Sequence, residues 1–365
     1  MGNDTRQAII WATLKRQSIH PFDPVTLDKV ASDVEISKTA IFHYFPNKDA
    51  LLHDVDAYLR DEASQMRRRV LEEGSDPLAA FTSELIARKG SLYVYAHLLF
   101  GPDRPPLFHI GPVFGLEGKK DARSELAFRA GVFFPMAFHE VICNDLPQEQ
   151  IPAFVARVRR WYDHGLGLNV NVTPRKWSEM DVDPSQLASD RNLSALNRLF
   201  STYGIQGVTM GRMAKETGLA QSSFYYQFAN KEEMISKTGK DEVARFLKLL
   251  DGRLSVVKEI EDAVITIFGT TNAYYFARPW LSRVYAFVSA PALYLHPSVL
   301  EPYPHLRFWR NELSAIQPNA GELALFLPLI PPMHPTESGW GKDACDAHAI
   351  SMLSRYSRGS DREVL

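Results

Sequence analysis

Gln221, Ser222, Ser223, Tyr225, Tyr226 and Lys231 crowd into one short stretch of a 365-residue chain. They are the side chains whose types and spacing point most directly to chemistry. An amide, two hydroxyls, two phenols and an ammonium make no nucleophile–base set. What they can do is recognise: amides pair with planar edges, phenols donate to anionic oxygens, and the ammonium adds charge. Signals for reaction chemistry are weaker. His139-Glu140 opens like a metalloprotease HExxH, but Cys143 stands where the second histidine belongs. Gly118-Lys119-Lys120 lacks the upstream glycine and the following Ser/Thr of a phosphate-binding loop. The two cysteines, Cys143 and Cys345, have neither metal spacing nor a disulfide framework. No catalytic residue, metal or cofactor is expected.

The elements that position the polar set read from Thr209 to Lys231. Thr209 is a good N-cap, its hydroxyl able to accept from a first-turn N–H. Met210, Met213 and Ala214 fall at i, i+3 and i+4, one apolar face. Gly218 follows where a sharp turn needs positive φ. Leu219 and Phe224 resume the apolar face, and Phe228 closes it. Asn230 before Lys231-Glu232-Glu233 is a second helix start. The pattern is a helix-turn-helix, whose second helix enters the major groove while the first crosses the backbone. Gln221 is then placed for adenine and the serines for either base type. Tyr225 and Tyr226 are placed for phosphate, as are Lys231, Thr209 and Arg212. Met210, Met213, Leu219 and Phe224 belong to the core.

Leu199-Phe200, Gly204, Thr209, Ala214, Gly218, Phe224-Tyr225, Phe228 and Lys231 agree in order and spacing with the N-terminal domain of tetracycline-repressor (TetR) family regulators. The stretch resembles that domain. The resemblance implies an all-α fold, in which a DNA-binding N-terminal domain is followed by a helical domain that dimerises and holds a small-molecule effector.

The opening of the chain repeats the pattern without a gap at an offset of 183. Thr26 falls on Thr209, Ala31 on Ala214, Ile36 on Leu219, Ile41 on Phe224, Phe45 on Phe228 and Lys48 on Lys231. Two copies of one unit are the reading. The copies differ in chemistry. Glu35 replaces the turn glycine, which costs on the order of 1 kcal/mol in a left-handed turn. Phe42 replaces the first tyrosine, removing a phenol. Thr26, Ser37, Lys38, Thr39, Phe42, His43, Tyr44 and Lys48 form the first candidate DNA face. Residues 1–60 hold seven basic and eight acidic side chains, against eight and six in residues 189–245. A working but weaker first head is expected.

An apolar content of 45 % supports packed cores, and a net charge of −2 requires any basic footprint to be local. The polar N-terminus has no signal-peptide core, and the longest apolar run, 323–330, is far short of a membrane span. A soluble cytoplasmic protein is expected.

The expected domains are a first head at 1–55, a helical domain at 56–168 and a linker at 169–189. A second head at 190–240 and a second helical domain at 241–365 follow. Helices are predicted from Ala122 to Asn144, Ile151 to Leu166, Lys231 to Leu250, Glu259 to Ala277 and Trp280 to Val288, with a frayed end from Arg355. Tyr93, His97, Tyr274, Tyr275, Arg278 and Trp280 are candidates for an effector pocket. A coil of the linker's length spans roughly 25 Å, which allows both heads of one chain to pair on one duplex. The expected partner is thus a double-stranded operator bound by an intramolecular pseudo-dimer, with a homodimer of whole chains as the variant. A different class of reading is an interaction module that kept the fold and lost DNA binding.

Overall fold

The computed structural model describes residues 2–19, 25–72, 76–87, 114, 123–183, 191–277, 300–329 and 341–359. Among them every regular element is helical, as the all-α expectation requires. The contacts divide the chain into two compact units. One holds Met1–Arg69 and Ser189–Gly239, and so both helix-turn-helix regions. The other holds Val70–Lys89, Pro106–Ala188 and Lys240–Leu365.

In the first unit, α1 (Gly2–Ile19), α2 (Leu27–Asp33), α3 (Lys38–Ile41) and α4 (from Lys48 on to Glu72) build head one. Ile9, Leu14, Val30, Ile41, Phe45 and Leu51 meet in its core. Arg6 fastens α1 to the other elements. Its guanidinium donates to the Tyr44 carbonyl at 3.0 Å, pairs with Asp54 and lies over the Phe45 ring at 4.6 Å.

Beyond the α5 helix (Pro77–Ala87) come α6 (Arg123–Phe138), which runs on as a π-turn over His139–Cys143, and α7 (Ile151–His164). Both predicted helices are found. Pro135 inside α6 removes one ladder donor shortly before the π-turn. A short α8 (Pro174–Ser178) precedes head two. That head consists of α9 (Arg191–Gly207), α10 (Met210–Thr217), α11 (Gln221–Gln227) and the first turns of α12 (Lys231–Leu254). The rest of α12, with α13 (Ile260–Ala277), α14 (Pro304–Ile316), α15 (Ala320–Phe326) and α16 (Lys342–Arg358), lies in the second unit. Residues 280–288 lie outside the described residues.

The helical regions of both halves make one unit where two were expected. The last helices of the first half, α6 and α7, pack against α15 and α16 of the second. Trp161 stacks on Tyr356 with ring centroids 5.4 Å apart, and the Tyr356 phenol donates to the Ala320 carbonyl at 2.9 Å. Glu125 on α6 pairs with Arg355 on α16. The two helix ends approach so closely that a Cβ on Gly359 would meet the Asp163 carbonyl oxygen at 2.4 Å. Gly359 also has φ +83, so its lack of a side chain is required twice over. Burial pushes the Tyr356 and Tyr162 phenols well above their ordinary pKa. From Arg355 to Gly359 the chain is therefore not frayed, for Tyr356 and Ser357 are fully buried, and the residues after Gly359 lie outside the described ones.

The segment read as a linker is also partly built in. Thr173 caps α8, and Trp177 is buried. Arg253 on α12 donates to the Met180 carbonyl at 2.6 Å and the Asp181 carbonyl at 2.9 Å. Lys342 reaches Asp181 at 2.9 Å. A free coil from 169 to 189 is thus corrected to a segment fastened on α12, α13 and α16 as far as Asp181.

Candidate nucleic-acid interface

In head two the local chemistry runs as the sequence dictates. Thr209 Oγ1 accepts from the Arg212 N–H at 3.2 Å and starts α10. Gly218 ends it in the left-handed region, φ 69 and ψ 21, with the Leu219 N–H donating to the Ala214 carbonyl at 3.0 Å. This is the 6→1 bond of a Schellman end, which turns the chain into α11. Asn230 Oδ1 accepts from the Glu233 N–H at 2.7 Å, while the Glu233 carboxylate accepts from the Ala229 N–H at 2.6 Å. That reciprocal pair fixes the start of α12.

Only Phe224 of α11 faces inward; it packs on Phe228 at 5.2 Å. Gln221, Ser222, Ser223, Tyr225 and Tyr226 are left exposed together, Tyr225 at 48 % and Tyr226 at 94 %. A phenol so open gains nothing from packing. Arg212, also exposed, lies over the Tyr203 ring at 4.2 Å. Lys231 departs from the expected surface position. It is only 7 % exposed, so most of its side chain is held against protein.

Head one repeats the frame. Thr26 Oγ1 accepts from Lys29 N–H at 3.3 Å, and the Ile36 N–H donates to the Ala31 carbonyl at 2.9 Å. Glu35 takes the left-handed position with φ 58. Ser37 Oγ accepts from the Ala40 N–H at 3.1 Å, a cap that Ala220 cannot supply to α11. Lys38, Thr39, Phe42 and His43 are exposed, Phe42 at 45 %, while Tyr44 and Lys48 are half-buried. Lys38 is paired with Asp28 at 2.7 Å. Even an ion pair between motif helix and preceding helix recurs: Arg16 with Asp33 at 2.6 Å, and Arg198 with Glu216 at 2.5 Å.

The sequence model of a family described as bacterial regulatory proteins, tetR family, matches residues 9–55 and again 193–237. Both helix-turn-helix regions of this chain thus match the tetR family, in tandem. No curated protein shows a significant match to the chain. The two matched regions are helix-turn-helix units of the tetR type, and they support a transcriptional regulator.

Of the candidate pocket residues, Tyr274 and Tyr275 lie among the described residues. Tyr274 is buried, its phenol donating to Glu242 at 2.8 Å and its ring on Phe246 at 5.1 Å, as a core side chain does. Tyr275 lies on the same helix; Tyr93, His97, Arg278 and Trp280 lie outside the described residues. Among the described residues no helix is long and apolar enough to cross a membrane, and no three metal-ligating side chains converge. Asp28 and Tyr203 escaped the sequence reading. Asp28 was detectable as an acid facing Gly211 in the repeat; Tyr203 carries no spacing signal linking it to Arg212.

Proposed function

We propose that this regulator binds a double-stranded operator through both heads of one chain, as an intramolecular pseudo-dimer that represses transcription in the cytoplasm. The observation that carries the DNA contact is the face of α11, where six polar or phenolic side chains, Gln227 among them, stand exposed above one buried phenylalanine. Two heads on adjacent half-sites need about 34–36 Å between them. Support for pairing within one chain comes from α6 and α7 packing on α15 and α16. Apolar surface of those helices is thereby covered within the chain. Tethered heads keep a high effective concentration for each other on dilution, near millimolar for short linkers. Because Lys38 faces the place of Gln221 and Phe42 that of Tyr225, the operator is an imperfect palindrome. A small molecule in the helical unit releases DNA only if it binds the two head spacings with unequal affinity. Sedimentation with a labelled operator tests the pairing: one chain per duplex is expected, and strictly two chains per duplex would sink the pseudo-dimer.

A further inference from the structure

The heads differ most where the first helix of the motif meets the second. In head one Lys38, the first residue of α3, donates to the Asp28 carboxylate at 2.7 Å. Both side chains are open to solvent, at 59 % and 56 %. Asp28 sits in the first turn of α2, the helix that crosses the DNA backbone in this motif. At the same two places head two has Gly211 and Gln221. A Cβ on Gly211 would meet only the Gln221 amide, at 3.8 Å. So one head sets a carboxylate beside its leading recognition side chain, and the other leaves that side chain with a glycine.

Charge makes the difference consequential. Lys38 is the only lysine or arginine between residues 37 and 45, and Glu35 stands exposed just before it. Asp28 therefore occupies the one cation of α3 and adds a negative charge where phosphate approaches. An exposed ion pair is weak in water, so a phosphate or base edge can displace the carboxylate. The pair acts as a competitor and not as a permanent block.

We propose that Asp28 is a specificity-determining residue of the first head, holding Lys38 away from DNA so that the second head chooses the sequence. The proposal rests on the DNA-binding reading. It makes the weakness of head one a property of one carboxylate, separate from Glu35 and Phe42.

The test is selection from a random-sequence duplex pool with four full-length proteins: wild type, Asp28→Gly, Lys38→Ala and the double variant. Wild type and Lys38→Ala are expected to enrich the same sequences, with one sharp half-site and one diffuse. Asp28→Gly sharpens the diffuse half-site and raises affinity for it about tenfold, the worth of one good base contact. The double variant loses that gain. Asp28→Asn repeats the result with the first turn kept polar, which covers a loss of helix stability in the glycine variant. A half-site blurred by Lys38→Ala alone overturns the proposal, because Lys38 then already reads DNA. A gain that persists without Lys38 overturns it too, by assigning the effect to net charge. If none of the proteins enriches any sequence, the DNA-binding reading itself falls, an outcome distinct from the other two.

Discussion

Head one and head two are the same backbone carrying different chemistry. Both start the first motif helix with a threonine cap, and both end it with a 6→1 bond through a left-handed residue. Both bury one side chain of the second helix, Ile41 or Phe224. Yet the exposed faces share little: Lys38, Phe42 and His43 against Gln221, Tyr225 and Tyr226. The comparison teaches that a few caps, one turn and an apolar spacing fix the motif. The residues between them are free to diverge without disturbing it.

The strongest way to break the comparison is through the core. Phe224→Ala leaves a large void under α11 and is expected to cost ~3–5 kcal/mol, while Ile41→Ala costs ~2–5 kcal/mol in head one. Hydrogen exchange on the two heads separates the effects, and operator affinity should collapse only for Phe224→Ala. Equal loss of affinity from both variants would show that the heads contribute alike.

The phenol comes next. Tyr225→Phe removes a donor expected to reach phosphate, and a hydrogen bond to a charged group contributes ~1.5–3 kcal/mol, at least tenfold in affinity. The reciprocal change, Phe42→Tyr, gives head one the missing phenol and should raise affinity. Both positions are exposed, so the melting temperature should stay put. Unchanged operator affinity in Tyr225→Phe removes that phenol from the interface.

How much of this was legible in the sequence depends on distance along the chain. Thr209, Gly218 and Asn230 act on neighbours within a few residues, so their types alone announce the motif. The same holds for Thr26, Ser37 and Asn47. The helical unit is another matter. Arg355 finds Glu125, and Tyr356 finds Trp161, across roughly half the chain or more. Read locally, Arg355 to Gly359 is a polar, glycine-ended tail; its partners are invisible to any periodicity. Trp177 and Met180 mislead similarly, because they are set among polar residues and their cover comes from the helices that follow. The repeat at an offset of 183 sets Asp28 against Gly211, but nothing in the spacing says that Lys38 turns toward Asp28.

The turn offers a smaller exchange. Glu35 and Gly218 hold nearly the same φ, 58 and 69, so only the side chain differs. A Cβ on Gly218 would meet nothing within 4 Å, which leaves backbone strain as the sole cost. Glu35→Gly should stabilise head one by ~1 kcal/mol and Gly218→Ala destabilise head two by a similar amount. Hydrogen exchange measures both. A destabilised Glu35→Gly would mean that the glutamate side chain contributes contacts outweighing its strain.

The smallest effect concerns how head two holds its arginine. The Arg212 guanidinium lies 4.2 Å over the Tyr203 ring, whereas head one has Lys29 at the equivalent place. An exposed cation–π contact contributes ~0.5–1 kcal/mol, which restricts the guanidinium more than it stabilises the fold. Arg212→Ala should lower the salt slope of operator binding by about one unit, the signature of one lost phosphate contact. Tyr203→Ala keeps the charge, so the slope should hold while affinity falls by ~2- to 5-fold, and Tyr203→Phe should restore it. A slope that drops in Tyr203→Ala would mean that Arg212 leaves the phosphate altogether without the ring. In that event the stacked arginine, and not the open tyrosines, would be the larger part of what sets head two above head one.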